Sequence, residues 1–371
     1  MNDNPFERYR KGKELHGGRI QTTSVLPGWI LIVLLVVLNF AAWPFAVTGY
    51  QKMVATGGKP ESVQVDAGSD DRRNSNLQPG TLLTEREPDE LAVVFLDVGQ
   101  GDAIFLRTPT GENILVDSGE GSNPDFKFAR SVGAAKNLIL PFFRQNKIEE
   151  LDYFVTTHPH SDHIGSSYEI IKNTPIDEVW AAGYDHPSRS KKDMLNAIDS
   201  RKSTSDIELH VPEETGGTLE EGQRLDLGTA TKGWLLRTAP NAENTNASSL
   251  VLLVAYGETE FLLTGDTEKH GERGLIRKWG EQLDADVLKV GHHGSTSSSI
   301  RPFVKTVKPD HSVIMVGHYN SFGHPNDSIL SRLKRAGSRV HRTDQDGTIF
   351  MFSDGESVEV ESRPAVSAVN D

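Results

Sequence analysis

The sequence predicts an α/β sandwich in which two β-sheets pack against each other and helices cover their outer faces. Two observations lead to this fold class. Runs of strand-forming residues occur both early and late in the chain, and segments with helical spacing of apolar residues lie among them. A third observation adds one N-terminal transmembrane helix to this architecture, because 23 consecutive residues there carry no charge.

The predicted elements of the sandwich follow one another along residues 91–360. Strands are expected at 91–96, 102–107, 113–116, 151–155, 249–255, 261–263, 285–290, 311–316, 340–341 and 348–352. The pair 249–255 and 261–263 flanks a short Gly-containing turn, which predicts a hairpin. Helices are expected within 126–146, over 269–279 and near 327–336.

Composition limits the chemistry that the chain can support. Its 371 residues include 52 acidic and 39 basic side chains, and the net charge of −13 disfavours a protein that binds nucleic acid through a broad basic surface. The chain has no cysteine, so it has neither a disulfide framework nor a thiolate metal ligand. A metal would be held by His, Asp and neutral donors, a set that suits zinc and that manganese or iron also accepts.

The first 90 residues predict a membrane anchor and its flanking segments. Residues 25–47 are uncharged and long enough to cross a bilayer, with Trp29 and Trp43 near the two ends. Residues 1–24 carry five basic and three acidic side chains, so this short arm is expected to be cytoplasmic and the rest of the chain extracytoplasmic. Residues 48–90 are expected to form a flexible linker, and 361–371 a disordered tail. A cleaved signal peptide is the alternative interpretation of the apolar stretch.

A loop crowded with histidines follows the strand predicted at 151–155. The segment THPHSDH at 157–163 holds His158, His160, Asp162 and His163 within six residues. Imidazole is the commonest metal ligand, and a neighbouring carboxylate adds charge to the same kind of site. The alternative is a polar loop with exposed histidines, but the density and order of these side chains favour a metal site.

Two later strands lead into residues of the same kind. The strand at 261–263 is followed by Asp266, and the strand at 285–290 is followed by His292 and His293. Glycines beside these side chains permit the sharp bends that bring loops of different strands together. Because binding sites are commonly built from loops that converge at one rim, we expect these residues to lie near the histidine loop.

The order of these motifs resembles that of the metallo-β-lactamase fold superfamily, and more narrowly the extracytoplasmic hydrolase domain of ComEC-type DNA-uptake proteins. The matching segments are DVGQGDA at 97–103, ILVDSG at 114–119, THPHSDHIG at 157–165, NASSLVL at 246–252, LLTGD at 262–266, VLKVGHHGS at 287–295, GHP at 323–325 and RTD at 342–344. ComEC proteins carry many membrane spans and this chain has one candidate span, so only the hydrolase module is implied.

The resemblance implies two divalent metal ions, with zinc expected and manganese as the alternative. His158 and His160 would bind the first ion. Asp162, His163 and either His292 or His293 would bind the second, with His292 favoured because it directly follows Gly291. Asp266 would bridge the two ions, which would activate a water molecule as the nucleophile.

Other residues of the matching segments have supporting or open roles. Asp117 is expected to hold the ligand loop by hydrogen bonds, or else to be a simple turn residue. The segment 240–246 lacks a histidine that superfamily members commonly have, so either Asn246 or water would complete one metal site or the chain would bind a single metal ion. His324 could donate a proton to a leaving group, contact phosphate, or be an ordinary loop residue. The turn that holds Asp97, Gln100 and Asp102 is expected to be structural, and the resemblance implies a position at the rim of the site as the alternative. Four isolated histidines are expected to be surface or structural residues: His186, His210, His270 and His318.

The function expected from this resemblance is that of a membrane-anchored, extracytoplasmic, metal-dependent phosphodiesterase. A nuclease acting on DNA is the first hypothesis, and a hydrolase of cell-envelope phosphoesters is the second. β-Lactam hydrolysis ranks lower because the resemblance follows the DNA-uptake branch. A binding module that kept the fold without turnover is a further alternative. The expected partners are the phosphodiester substrate and, through residues 25–47, the lipid bilayer; the sequence indicates no protein partner.

Overall fold

A computed structural model describes residues 83, 86–87, 89–122, 133–183, 187–212, 218–219, 222–237 and 245–362. All of them belong to one of the chain's two compact units; the other, Lys13–Asp71, lies outside the described residues. The predicted cytoplasmic arm, the anchor at 25–47, most of the linker and nearly all of the tail also lie outside them. Within the described ranges, no helix has the length and apolar character that a membrane span requires.

Fifteen strands form two mixed sheets in the described part of the chain. The eight-stranded sheet has the order β15-β14-β1-β2-β3-β4-β5-β6 and the seven-stranded sheet the order β13-β12-β11-β10-β9-β8-β7. The first sheet contains β1 (Leu91–Phe95), β2 (Ile104–Arg107), β3 (Asn113–Val116), β4 (Leu151–Thr156), β5 (Ile176–Ala181), β6 (Glu208–His210), β14 (Ile349–Ser353) and β15 (Val358–Ser362). The second contains β7 (Gln223–Leu225), β8 (Thr231–Arg237), β9 (Leu250–Tyr256), β10 (Thr259–Leu263), β11 (Val287–Lys289), β12 (His311–Ile314) and β13 (Arg339–Arg342).

Helices flank both sheets. The helices are α1 (Leu140–Gln145), which continues a π-helical stretch over Ala135–Ile139, α2 (Ser161–Ile164), α3 (Ser167–Asn173), α4 (Arg189–Lys202), α5 (Lys269–Trp279), α6 (Arg301–Val307), α7 (Asp327–Arg335) and α8 (Thr343–Asp346). Short 3-10 turns occur at Asn246–Ser248, Gly280–Leu283 and Gly291–Gly294. Apolar residues of α1, α3 and α4 pack on the first sheet, and those of α5 and α6 pack on the second.

Strand β1 shows why the sequence forms four layers. All five residues of its LAVVF segment are buried. Successive side chains of a strand point to opposite faces. Leu91, Val93 and Phe95 therefore enter the core between the two sheets, and Ala92 and Val94 enter the core beneath the helices. A strand covered on both faces has no polar face, which explains its continuous apolar run.

The predicted αββα sandwich is confirmed, and several of its elements have nearly the predicted bounds. The hairpin is present as antiparallel β9 and β10, and α5 covers the predicted 269–279. Helices α2 to α4, α6 and α8 and strands β5 to β8 and β15 were not predicted as individual elements. The helix expected within 126–146 begins among the described residues at Ala135, and residues 123–132 lie outside them.

Parallel pairing positions the candidate site. β3 pairs in parallel with β4 in the first sheet, and β10, β11 and β12 are parallel neighbours in the second. The carboxyl ends of parallel strands lie at the same edge of a sheet, and loops at that edge commonly form binding sites. The two histidine segments and Asp266 follow the carboxyl ends of β4, β11 and β10, respectively.

Candidate metal centre

Four side chains from three separate loops converge at this edge. Asp162 and His163 come from α2, Asp266 from the loop after β10, and His293 from the turn after β11; each offers a ligand atom within 4.8 Å of the others. His163 Nε2 lies 3.2 Å from Asp266 Oδ1, and His293 Nε2 lies 3.3 Å from Asp162 Oδ2. His163, Asp266 and His293 are buried, so water cannot replace these contacts freely. We call these four residues the metal cluster.

The hydrogen bonds behind His163 determine which of its nitrogen atoms is available. Its Nδ1 lies 2.7 Å from Asp117 Oδ2 and therefore carries the proton of that hydrogen bond. Asp117 itself is held by Thr157, which donates its backbone N–H at 2.8 Å and its hydroxyl at 2.6 Å. Nε2 of His163 is thus the nitrogen that faces the cluster, and it offers a lone pair to a metal ion when the ring is neutral. The expected supporting position of Asp117 agrees with this geometry, because a carboxylate behind a histidine orients a metal ligand.

His293 is oriented in the same way by a backbone carbonyl. Its Nδ1 lies 2.9 Å from the oxygen of Met315, at the end of β12, so Nδ1 donates and Nε2 faces the cluster. Both His292 and His293 have a positive φ, 48° and 52°, in a region that non-glycine residues rarely adopt. This left-handed turn sends the two neighbouring rings in different directions. The structure places His293 in the metal cluster, whereas the residue favoured from sequence, His292, is partly exposed, with Nε2 3.8 Å from Asp266 Oδ2.

His158 and His160 lie beside the cluster. His158 Nε2 is 3.8 Å from Asp266 Oδ2 and 3.1 Å from His160 Nδ1, and Thr245 Oγ1 is 2.8 Å from His160 Nε2. Of the two histidines expected at a first metal ion, His158 therefore faces the same Asp266 as the second set, and His160 contacts His158 and Thr245. Asn246 Nδ2 lies 3.3 Å from His292 Nε2, so this amide is also at the site, although residues 238–244 lie outside the described residues.

Sequence reasoning missed a buried ion pair behind the cluster. Lys289, in β11, is fully buried, and its Nζ lies 2.8 Å from Asp102 Oδ2. Asp102 in turn lies 3.8 Å from His163 Nδ1 and 3.6 Å from His293 Nδ1. The turn that holds Asp102 approaches α2 closely: Gly101 has φ +122°, and a Cβ there would meet the carbonyl oxygen of Asp162. Asp102 is therefore part of the site, whereas the sequence reading favoured a purely structural turn.

His324 lies at the outer side of the site. Its ring centroid is 5.7 Å from that of His292, and burial together with the nearby His292 and His293 lowers its pKa. Three of the histidines that were expected to be surface or structural residues lie away from the metal cluster. His210 stacks on Trp180, His318 Nδ1 lies 3.1 Å from the Asp344 carbonyl oxygen, and His270 is exposed on α5. His186 lies outside the described residues.

The charges of the cluster are strongly coupled. Burial alone would lower the pKa of His163, but the carboxylates around it, Asp266 first, raise that pKa well above its usual value. Burial would likewise lower the pKa of His293, but Asp266 and Asp162 raise it above its usual value. In turn, burial would raise the pKa of Asp266, and His163 and His293 hold it well below its usual value. The carboxylates thus favour a positive charge at this point, either as protons on the two histidines or as a bound cation.

The donor set fits a divalent cation. His163 Nε2, His293 Nε2 and Asp266 Oδ1 are buried and have no hydrogen-bond partner among the described residues. Buried polar atoms without partners are costly, and atoms of this kind aimed at one point indicate a ligand. Imidazole nitrogen with carboxylate oxygen suits zinc, manganese or iron. The cluster can therefore hold a divalent metal, whose identity the donor set leaves open.

Comparison with known proteins agrees with this architecture. The profile described as "Metallo-beta-lactamase superfamily" matches residues 96–318. "ComE operon protein 3" of Bacillus subtilis is 32% identical over 266 residues, which cover 69% of this chain and 32% of that protein. "Competence protein ComA" of Neisseria gonorrhoeae is 26% identical over 260 residues, covering 70% and 32% of the two chains. "Recombination protein 2" of Haemophilus influenzae is 30% identical over 254 residues, covering 68% and 28%.

The chain spans about a third of the length of these curated relatives. The similarity is thus confined to one part of each relative, and the profile match contains every residue of the metal cluster. The chain therefore belongs to the metallo-β-lactamase superfamily and is related to competence proteins.

Proposed function

We propose that this protein is a metal-dependent phosphodiesterase that acts on nucleic acid outside the cytoplasmic membrane. The observation that carries the proposal is the convergence of Asp162, His163, Asp266 and His293 with unpartnered buried atoms aimed at one another. The relationship to competence proteins supports a nucleic-acid substrate. The uncharged stretch 25–47 and the basic excess before it support a single membrane anchor with the hydrolase domain outside.

Asp266 has the position expected of a residue shared by two metal ions. Its Oδ1 faces His163, and its Oδ2 lies 3.5 Å from His293 Nε2 and 3.8 Å from His158 Nε2. We infer that Asp162, His163 and His293 hold one ion and that His158 and His160 hold the other, with Asp266 between them. When bound, such ions supply an activated water nucleophile and neutralise charge that develops on the phosphodiester.

The protein's own residues set the geometry for that chemistry. Asp117 and the Met315 carbonyl fix the ring orientations of His163 and His293, and Lys289 compensates the charge of the buried Asp102. His324 is beside His292 at the outer side of the cluster, where a substrate would enter. Burial and its histidine neighbours lower the pKa of His324, which favours the neutral ring, and its position would allow a hydrogen bond to a phosphate oxygen or a leaving group.

The test uses the full chain loaded with Zn²⁺ or Mn²⁺ and bis-p-nitrophenyl phosphate as the substrate. We expect turnover, two metal ions per chain by elemental analysis, and a loss of more than about 100-fold in Asp266→Asn, since even groups behind a ligand contribute 10- to 100-fold. Asp199→Asn, which changes an exposed carboxylate of α4 by the same one-atom replacement, is the matched control and should keep full activity.

A folded, metal-loaded chain that cleaves no phosphodiester would contradict the proposal and favour a binding module that kept the fold. Hydrolysis of bis-p-nitrophenyl phosphate without cleavage of single- or double-stranded DNA would favour cell-envelope phosphoesters instead. The net charge of −13 is the observation that keeps this second substrate class in consideration, because it offers no broad attraction for a polyanion.

A further inference from the structure

Two aromatic rings face solvent on the loop that joins β12 to α7. Tyr319 is 94% exposed and Phe322 is 66% exposed. Among the described residues, the next large hydrophobic side chain of this kind is Tyr168, which is 38% exposed and lies on α3. A single exposed ring needs no explanation, but two within four residues beside a cluster of metal-type ligands indicate a binding function.

The loop is held in one shape by its central residue. Asn320 Nδ2 donates to the carbonyl oxygens of Gly317 at 2.9 Å and His324 at 2.8 Å. Its Oδ1 accepts from the backbone N–H of Phe322 at 3.2 Å and of His324 at 3.0 Å. The rings are thus presented by a backbone that is already organised, which reduces the entropy lost when a ligand binds.

A series of neighbouring rings leads from Phe322 of this loop through His324 to His292, beside the metal cluster. Phe322 lies nearly parallel to His324, with centroids 5.9 Å apart and planes at 22°. His324 contacts His292, whose Nε2 is 3.8 Å from Asp266 Oδ2. A substrate with its scissile group at Asp266 that leaves the site past His324 would meet Phe322, on the loop that also carries Tyr319.

We propose that Tyr319 and Phe322 form a stacking platform for unpaired nucleobases next to the scissile phosphodiester of a single-stranded nucleic acid. The proposal rests on the proposed function and specifies its substrate class. Each base has a flat π-face that stacks on an aromatic ring regardless of sequence, and only an unpaired base exposes that face. For such a substrate, stacking would supply affinity that phosphate contacts supply weakly in a chain with a net charge of −13.

The test compares two single strands of equal length, a thymidine oligonucleotide and one whose nucleotides are all abasic. Using the full chain, we expect Tyr319→Ala and Phe322→Ala each to weaken binding of the thymidine strand about tenfold by fluorescence anisotropy and to raise KM similarly, with kcat within about twofold. On the abasic strand neither substitution should change binding. Phe322→Tyr should retain wild-type values because it keeps the ring.

Tyr168→Ala removes an exposed ring outside the loop, and it should leave binding of both strands unchanged. An equal loss on the abasic strand would show that the rings only support the loop, and no loss on either strand would show that they do not contact the substrate; either result overturns the platform. Anisotropy needs no turnover, so the platform is tested even if the chain cleaves nothing. Cleavage of bis-p-nitrophenyl phosphate with unaltered oligonucleotide binding in both variants would leave the phosphodiesterase proposal standing and remove the platform alone.

Discussion

Replacing Lys289 by methionine tests the buried ion pair behind the metal cluster. Lys289 Nζ lies 2.8 Å from Asp102 Oδ2, and both side chains are buried. Methionine has a similar length but no charge, so Lys289→Met leaves the volume nearly filled while removing the cation from Asp102. Lys289 Nζ also donates to the Val290 carbonyl oxygen at 2.9 Å, and that hydrogen bond is lost as well.

The magnitude follows from the distance and the burial. At 2.8 Å, and at an effective dielectric constant of about 20, two unit charges attract each other by about 6 kcal/mol. Desolvation of both charges offsets part of this attraction. Removing one partner of a buried pair typically costs about 3–5 kcal/mol, because the other charge stays buried without compensation. We expect Lys289→Met to lower the free energy of unfolding by that amount.

Urea unfolding of the wild-type chain and of the Lys289→Met, Asp102→Asn and double variants provides the assay. If the two charges compensate each other, the double variant should be more stable than Lys289→Met alone by at least about 2 kcal/mol, because it buries no lone charge. Lys308→Met is the matched control, since Lys308 pairs with Asp284 at the exposed surface and should contribute less than about 1 kcal/mol. A loss of under about 1 kcal/mol in Lys289→Met, or additive losses in the double variant, would refute the reasoning.

Three further predictions concern the site, the pH dependence and the core. Asp117→Asn should weaken metal affinity about 10- to 100-fold by titration calorimetry, because the carboxylate orients His163. Burial, with the nearby Asp286, raises the pKa of Glu260 to about 7. In the folded protein Glu260 thus retains a proton that the unfolded chain releases at about pH 4.3. The free energy of unfolding therefore falls as the pH rises from about 4.3 through 7, and Glu260→Gln should reduce this fall in urea titrations. Phe261→Ala, between the sheets, should cost about 3–5 kcal/mol by the same assay.

A specific result would contradict each of these three predictions. Metal affinity unchanged in Asp117→Asn would show that His163 is oriented without it. An identical pH dependence of stability in Glu260→Gln and the wild type would place the titration elsewhere. Phe322→Ala removes a ring that is 66% exposed, so it should change the free energy of unfolding by less than about 0.5 kcal/mol. If Phe322→Ala and Phe261→Ala lowered the free energy of unfolding equally, the assignment of Phe261 to the core would be contradicted.

The layer architecture was predictable because it depends on local patterns. Runs of strand-forming residues such as 91–96 indicated strands, and the segment 269–279 indicated a helix with the observed bounds. Helix α4, over Arg189–Lys202, was missed because its segment is mostly polar and only a few of its residues are buried. The short strands β6 and β7 have three residues each and carry too little pattern to be recognised.

The sequence by itself determined which loops carry the metal-type ligands, since the histidines and aspartates stand next to strand ends in fixed motifs. Only the tertiary structure shows that it is Nε2 of His293, and not of His292, that approaches Asp162. That choice depends on two left-handed backbone conformations and on the carbonyl of Met315, which lies 22 residues away in the chain. The role of Lys289 was hidden for a related reason: its place in a buried strand is visible in sequence, but its partner Asp102 comes from the other sheet's loops. Motifs fix which residues are adjacent along the chain, whereas packing of the two sheets fixes which atoms face one another.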